Sequence, residues 1–108
     1  MSVRDCDRDY IVMLYDFYSD LFNDKQREYF EEYYFQNLSL GEISSNLGVS
    51  RNAVHKVIQG VEEKLKFYEE KLGLFHKNQI ICDIIKLEKD EELKKKLEGL
   101  IWEDEICE

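Results

Sequence analysis

An all-α fold is what this sequence predicts, and three observations predict it. The 108 residues contain no proline. Glycine occurs only five times, at 41, 48, 60, 73 and 99. Apolar residues recur at steps of three and four along most of the chain, the period that lines one face of a helix, whereas a sheet protein would show more turn residues and two-residue alternation. A chain of this length is expected to be one domain, 1–108, with a single small core that the 44% hydrophobic content is sufficient to fill.

The first stripe, Ile11, Leu14, Tyr15, Tyr18, Leu21 and Phe22, marks a helix from about 8 to 22. Asn23 interrupts it and has Gln26 three residues on, so the next helix should open with a reciprocal capping box. That second helix, about 24 to 36, is expected to bury Phe30, Tyr33 and Tyr34 and to expose Asp24, Glu28, Glu31 and Glu32, which makes its outer face acidic. Ser39 and Glu42 form another capping box, opening a short third helix over 39–47 with Leu40, Ile43 and Leu47 inward. Gly48 can adopt the positive φ that ends it, and Ser50 is placed to cap the next helix.

The fourth helix runs from Arg51 to about Leu72, with Gly73 as its stop. Val54, Ile58, Val61, Leu65, Tyr68 and Leu72 stand at spacings of 4, 3, 4, 3 and 4, a heptad seam over nearly three heptads. Such a seam either pairs two chains, with Val61, Leu65, Tyr68 and Leu72 forming a homodimer arm, or packs on helices of its own chain. Gly60 lies within it at a helix-propensity cost of about 1 kcal/mol. Two more amphipathic helices close the chain. Ile80, Ile81, Ile84, Ile85 and Leu87 line one, and Leu93, Leu97, Leu100, Ile101 and Trp102 line the other. The stripe loses phase between Leu87 and Leu93, and Asp90 can cap a new start, so the break falls near 88–90. These helices either cover the first and fourth or build a partner surface.

The segment LSLGEISSNLGVSRNAV, residues 38–54, therefore reads helix, turn, helix, and the whole motif lies within 38–60. A helix-turn-helix places its second helix in the major groove of DNA with the first bracing it, which calls for a small residue at the crossing, a glycine in the turn and apolar clamps between the helices. Ser44, Gly48 and the set Ile43, Leu47, Val49, Val54 and Ile58 meet those demands. With the clamps inward, Arg51, Asn52, His55, Lys56 and Gln59 face outward. Arginine can reach both acceptors of guanine, asparagine and glutamine can pair with the edge of adenine, and Ser50 with the first amides of the fourth helix can hold a phosphate.

Charge complicates this reading. The formal net charge is −9, while residues 39–66 hold four Lys or Arg against three Glu, which leaves −10 for the remainder. Nearby carboxylates oppose the phosphate neutralisation that drives sequence-independent binding. The expectation is a reading head of weakly positive charge on an acidic body, one that needs dimerisation, a specific site or a partner to bind double-stranded DNA usefully.

Residues 23–74, with KQREYFEEYY followed by LSLGEIS and GVSRNAV, resemble the core of the YlxM family of small bacterial helix-turn-helix proteins thought to bind DNA. The resemblance implies an all-α fold whose helix-turn-helix is similar to region four of bacterial sigma factors, and a regulatory role. Genes of that family tend to lie beside those for the signal recognition particle GTPases, which implies a place in that protein-targeting pathway and its components as partners. Carried over by position, the DNA-facing residues are Ser50, Arg51, Asn52, His55 and Lys56; Ser44 stands where the motif more often has alanine.

Other classes fit less well. There is no Gly-rich phosphate loop, and His55 and His76 lack metal-ligand spacing with Cys6, Cys82 and Cys107, so neither an enzyme nor a metal or cofactor is expected. No stretch approaches the roughly 18–20 apolar residues of a membrane span. The charged N-terminus lacks the apolar run of a secretory signal, and the odd, widely spaced cysteines read as reduced thiols of a cytoplasmic protein. The class that competes with DNA binding is a protein-interaction module that presents its acidic surface to a basic partner, such as a signal recognition particle component.

Overall fold

In the computed structural model, residues 5–101 are described, with side chains from Arg8 onward, and every element among them is helical. In order these are α1 (Asp5–Tyr18), a 3-10 turn (Ser19–Leu21), α2 (Asp24–Tyr34), α3 (Leu40–Leu47), α4 (Arg51–Leu72), α5 (Leu74–Leu87) and α6 (Glu91–Glu98). Two compact units divide at Tyr68 and Glu69, so α4 contributes all but its last turn to the first.

The helix boundaries follow from local chemistry. Asn23 accepts from the Gln26 amide at 2.8 Å while the Gln26 side chain accepts from the Asn23 amide at 3.0 Å, the capping box expected at the start of α2. The end of α2 has a device that the sequence did not reveal. Asn37 takes a left-handed φ of 56°, which returns the Leu38 amide to the Glu32 carbonyl at 3.1 Å. Arg8, on α1, then donates to the Tyr33 and Tyr34 carbonyls at 3.0 and 3.3 Å and lies over both their rings. A guanidinium at a helix C-terminus satisfies carbonyls without intrahelical partners and complements the negative end of the helix dipole.

The core of the first unit is aromatic. Tyr15 stacks on Phe30 with ring centroids 4.2 Å apart, Phe30 stacks on Tyr34 at 4.3 Å, and Tyr68 of α4 meets Tyr18 at 5.9 Å and Phe22 at 5.8 Å. Ile11, Leu14, Ile43, Val54, Val61 and Leu65 fill the space between and are all but inaccessible. Two buried phenols find carboxylates: Tyr15 donates to Glu31 at 2.5 Å, and Tyr34 donates to Glu62. Burial first, and then the bonded carboxylate, pushes both phenols above their ordinary range, so each stays neutral and keeps donating.

Several expectations are corrected by this packing. Tyr29, not Tyr33, completes the buried set of α2, and Glu31 and Glu32 are half-buried instead of facing solvent. The seam of α4 closes within the chain: Val61 and Leu65 are fully buried and the Tyr68 ring packs tilted against Tyr18 of α1 and edge-on against Phe22 after it, so these residues are not available as a homodimer arm, and only Leu72 of that set is exposed.

In the second unit, Gly73 takes φ 61° and separates α4 from α5. The Glu69 carboxylate reaches across it to accept from the Phe75 and His76 amides at 3.1 and 3.0 Å, satisfying the start of α5. Asp90 accepts from the amides of Glu92 and Leu93 and opens α6, as expected. Cys82 is buried; Cys6, Cys107 and Trp102 lie outside the described side chains.

Candidate nucleic-acid interface

The turn between α3 and α4 is built from a few local bonds. Ser39 accepts from the Glu42 amide at 3.1 Å while Glu42 accepts from the Ser39 amide at 2.9 Å, which starts α3. The bond from the Ser39 amide, more than any other cause, holds the Glu42 carboxyl below its ordinary range. Gly48, with φ 68° and ψ 32°, ends the helix, and its amide and that of Val49 both return to the Ser44 carbonyl, at 3.0 and 3.2 Å. Ser50 accepts from the Ala53 amide at 3.0 Å and so caps α4.

Ser44 does more than stay small. Its hydroxyl donates to the Val49 carbonyl at 2.5 Å, tying α3 to the last residues before α4. An alanine there would fit the crossing but leave that carbonyl without this donor, so the serine braces the turn from inside. Behind it Ile43, Val54 and Ile58 are buried and Leu47 and Val49 are half-buried, which sets α3 against the start of α4.

With that side of α4 turned inward, all six sequence-predicted site residues stand in solvent: Ser50, Arg51, Asn52, His55, Lys56 and Gln59 are exposed. The five on the helix fall within about 140° of arc at 100° per residue, so they share one face. Among the described residues neither Arg51 nor Lys56 is held in an ion pair. The first carboxylate beyond this face in the chain, Glu62, is half-buried and accepts from Tyr34, so a core contact draws its negative charge away. Ser45 and Asn46, on the last turn of α3, are also exposed and add polar groups beside the turn. They stand out of phase with Leu40, Ile43 and Leu47, a signal the sequence carried but one that a reading of α3 as a brace passes over.

A face of this kind can do two things chemically. The guanidinium, the ammonium and the first amides of α4 can meet phosphate oxygens, and Arg51, Asn52 and Gln59 can offer paired hydrogen bonds to base edges. No group of three or more His, Cys, Asp or Glu able to hold a metal ion occurs among the described residues. No helix among them is long and apolar enough to cross a membrane.

The sequence is similar to a known family. The model of a family described as "Putative helix-turn-helix protein, YlxM / p13 like" matches residues 6–103. A UPF0122 protein of Caldanaerobacter subterraneus subsp. tengcongensis is 53% identical over 70 residues, covering 65% of this chain and 60% of that protein. One from Thermoanaerobacter sp. (strain X514) is 47% identical over 89 residues, covering 82% of this chain and 72% of the other. One from Listeria innocua serovar 6a is 46% identical over 67 residues, covering 62% and 61%. The matched part thus spans between about three fifths and three quarters of these relatives' length. With the turn geometry and the family match in agreement, the chain belongs to the YlxM/p13-like helix-turn-helix family.

Proposed function

We propose that this protein is a DNA-binding regulator that lays the start of α4 in the major groove of a duplex. The observation that carries the reading is the exposed face of Arg51, Asn52, His55, Lys56 and Gln59, standing on a braced turn with its cations in no ion pair among the described residues. Arg51, Asn52 and Gln59 are assigned to base edges, Ser50 and Lys56 to phosphates, and His55 to the groove wall. The role is regulatory, not enzymatic, and is carried out in the cytoplasm. The resemblance to a family whose genes neighbour those of the signal recognition particle GTPases supports a part for this regulation in that pathway.

The formal charge of −9 shapes how such binding works. Non-specific affinity comes from phosphate neutralisation, and this chain supplies little net positive charge for it. Selectivity should therefore be high relative to affinity, with base contacts carrying a larger share than in a basic regulator.

Fluorescence-anisotropy titration of duplexes from the protein's own operon, at several salt concentrations, tests this. Wild-type protein is expected to prefer one sequence. The Arg51→Ala, Lys56→Ala double variant should lose at least about tenfold in affinity and about one unit of salt slope per lost phosphate contact. Equal binding by both proteins would remove the groove assignment.

A second reading, a protein-interaction module that binds a basic partner such as a signal recognition particle component, is favoured by one observation. Asp24, Glu28, Glu31 and Glu32 line a shallow groove on α2 with Arg27 and Gln36, and an acidic groove steers basic partners. Wild-type protein that binds no duplex at low salt, yet retains such a component in a low-salt pull-down, would put this reading first.

A further inference from the structure

At 100° per residue from Arg51, Glu62 lies about 20° around α4, inside the arc of about 140° that carries Arg51, Asn52, His55, Lys56 and Gln59. It is only about 4.5 Å along the axis beyond Gln59. A carboxylate loose at that position would add negative charge to the end of the face proposed to meet a duplex. Glu62 is not loose: it is half-buried and accepts from the Tyr34 hydroxyl of α2. The next residue is the internal contrast. Glu63, about 120° around the helix and so between Asn52 and Lys56, is exposed and in no ion pair among the described residues.

The phenol that holds Glu62 is itself held. Tyr34 is buried, its ring stacks on Phe30 with centroids 4.3 Å apart, and the Arg8 guanidinium lies over it at 4.4 Å while donating to the Tyr34 carbonyl at 3.3 Å. Burial first, and then the bond to Glu62, keeps the phenol neutral and donating. A buried hydroxyl needs an acceptor, but a neutral amide would serve it as a carboxylate does. What this pair adds is the placement of a charge. We propose that Tyr34 is a positioning residue for duplex binding, which holds the Glu62 carboxylate against the core and away from the phosphates that the α4 face would meet. The inference rests on the proposed groove binding and adds to it a residue of α2 that touches no nucleic acid. Exposed charges act on one another within about 8–10 Å at physiological salt, so a glutamate side chain turned toward the core or toward the groove changes the repulsion at the nearest phosphate.

Anisotropy titrations of the duplex that wild-type protein prefers, with variants of the full chain shown to be folded by far-UV circular dichroism, test this. Tyr34→Phe keeps the ring and removes the hydroxyl. It should weaken binding by about three- to tenfold at low salt, and the ratio to wild type should shrink as salt rises, because the loss comes from charge repulsion. Adding Glu62→Gln to Tyr34→Phe should restore affinity to within about twofold of wild type, although the hydroxyl is still missing. A purely structural role for Tyr34 gives neither the salt dependence nor the rescue. The two glutamates supply a second comparison that needs no change at Tyr34: Glu63→Gln should tighten binding by about threefold, and Glu62→Gln by less than about twofold. Binding by Tyr34→Phe equal to wild type, a loss that survives Glu62→Gln, or a gain from Glu62→Gln as large as that from Glu63→Gln would overturn the inference and leave groove binding standing. Wild-type protein that binds no duplex would remove both.

Discussion

Helices α4 and α5 use the same spacing of apolar residues to opposite ends. In α4, Val54, Ile58, Val61 and Leu65 all vanish into the core, and the surface left over is polar and basic at its start. In α5, Ile80 and Ile84 stand at the same kind of interval and remain in solvent, while Asn78 and Cys82 are the residues that go inside. An apolar stripe states that a face avoids water; it does not state which neighbour will cover it. In α4 the aromatic pile of the first unit is that neighbour, as the contacts of Tyr68 with Tyr18 and Phe22 and of Glu62 with Tyr34 show.

Leu65→Ala against Ile84→Ala is the sharpest way to break this comparison. Removing a fully buried leucine from α4 should cost about 2–5 kcal/mol, and trimming an isoleucine already 44% exposed should change the stability of a single chain by about 0.5 kcal/mol or less. Urea denaturation measures both. Similar losses at the two sites would mean that α5's outer stripe is covered within the chain.

A smaller effect sharpens the α4 side. Gly60 lies mid-helix with no left-handed φ, and a Cβ built there meets nothing within 4 Å. Gly60→Ala should therefore stabilise the protein by up to about 1 kcal/mol, read as a higher melting temperature. A loss of stability would show that the glycine is required for a close approach. The smallest effect concerns Glu42 in the capping box of α3. Its folded pKa is depressed, so its contribution is present above the unfolded carboxyl range near pH 4–5 and is lost as pH falls through the folded value. Glu42→Gln should lower stability slightly at neutral pH and make the acid limb of the stability curve shallower, the two proteins converging as pH falls, which thermal melts between about pH 2 and 7 would record.

The features legible in the sequence have a common physical character. The caps at Asn23, Ser39, Ser50 and Asp90, the turn at Gly48 and the stop at Gly73 each depend on bonds between residues at most four or five apart. The family resemblance and the outward placement of Arg51 to Gln59 rest on the same local logic. The features that escaped it join distant parts of the chain. Arg8 meets carbonyls 25 and 26 residues away, Tyr34 meets Glu62 at a separation of 28, and Tyr15 meets Glu31 at 16. These long-range pairs are why Glu31 is half-buried instead of lying on an exposed acidic face, and why Glu62 turns from the surface of α4.

By itself, then, the sequence determined the helices, their ends and the polar face after the turn, because a helix is held together by residues three and four apart. Only the tertiary structure decided that the α4 seam closes within one chain, that Tyr29 is buried in preference to Tyr33, and that α5 keeps a second apolar stripe in water. Burial is a property of pairs of surfaces, and periodicity describes only one of the two.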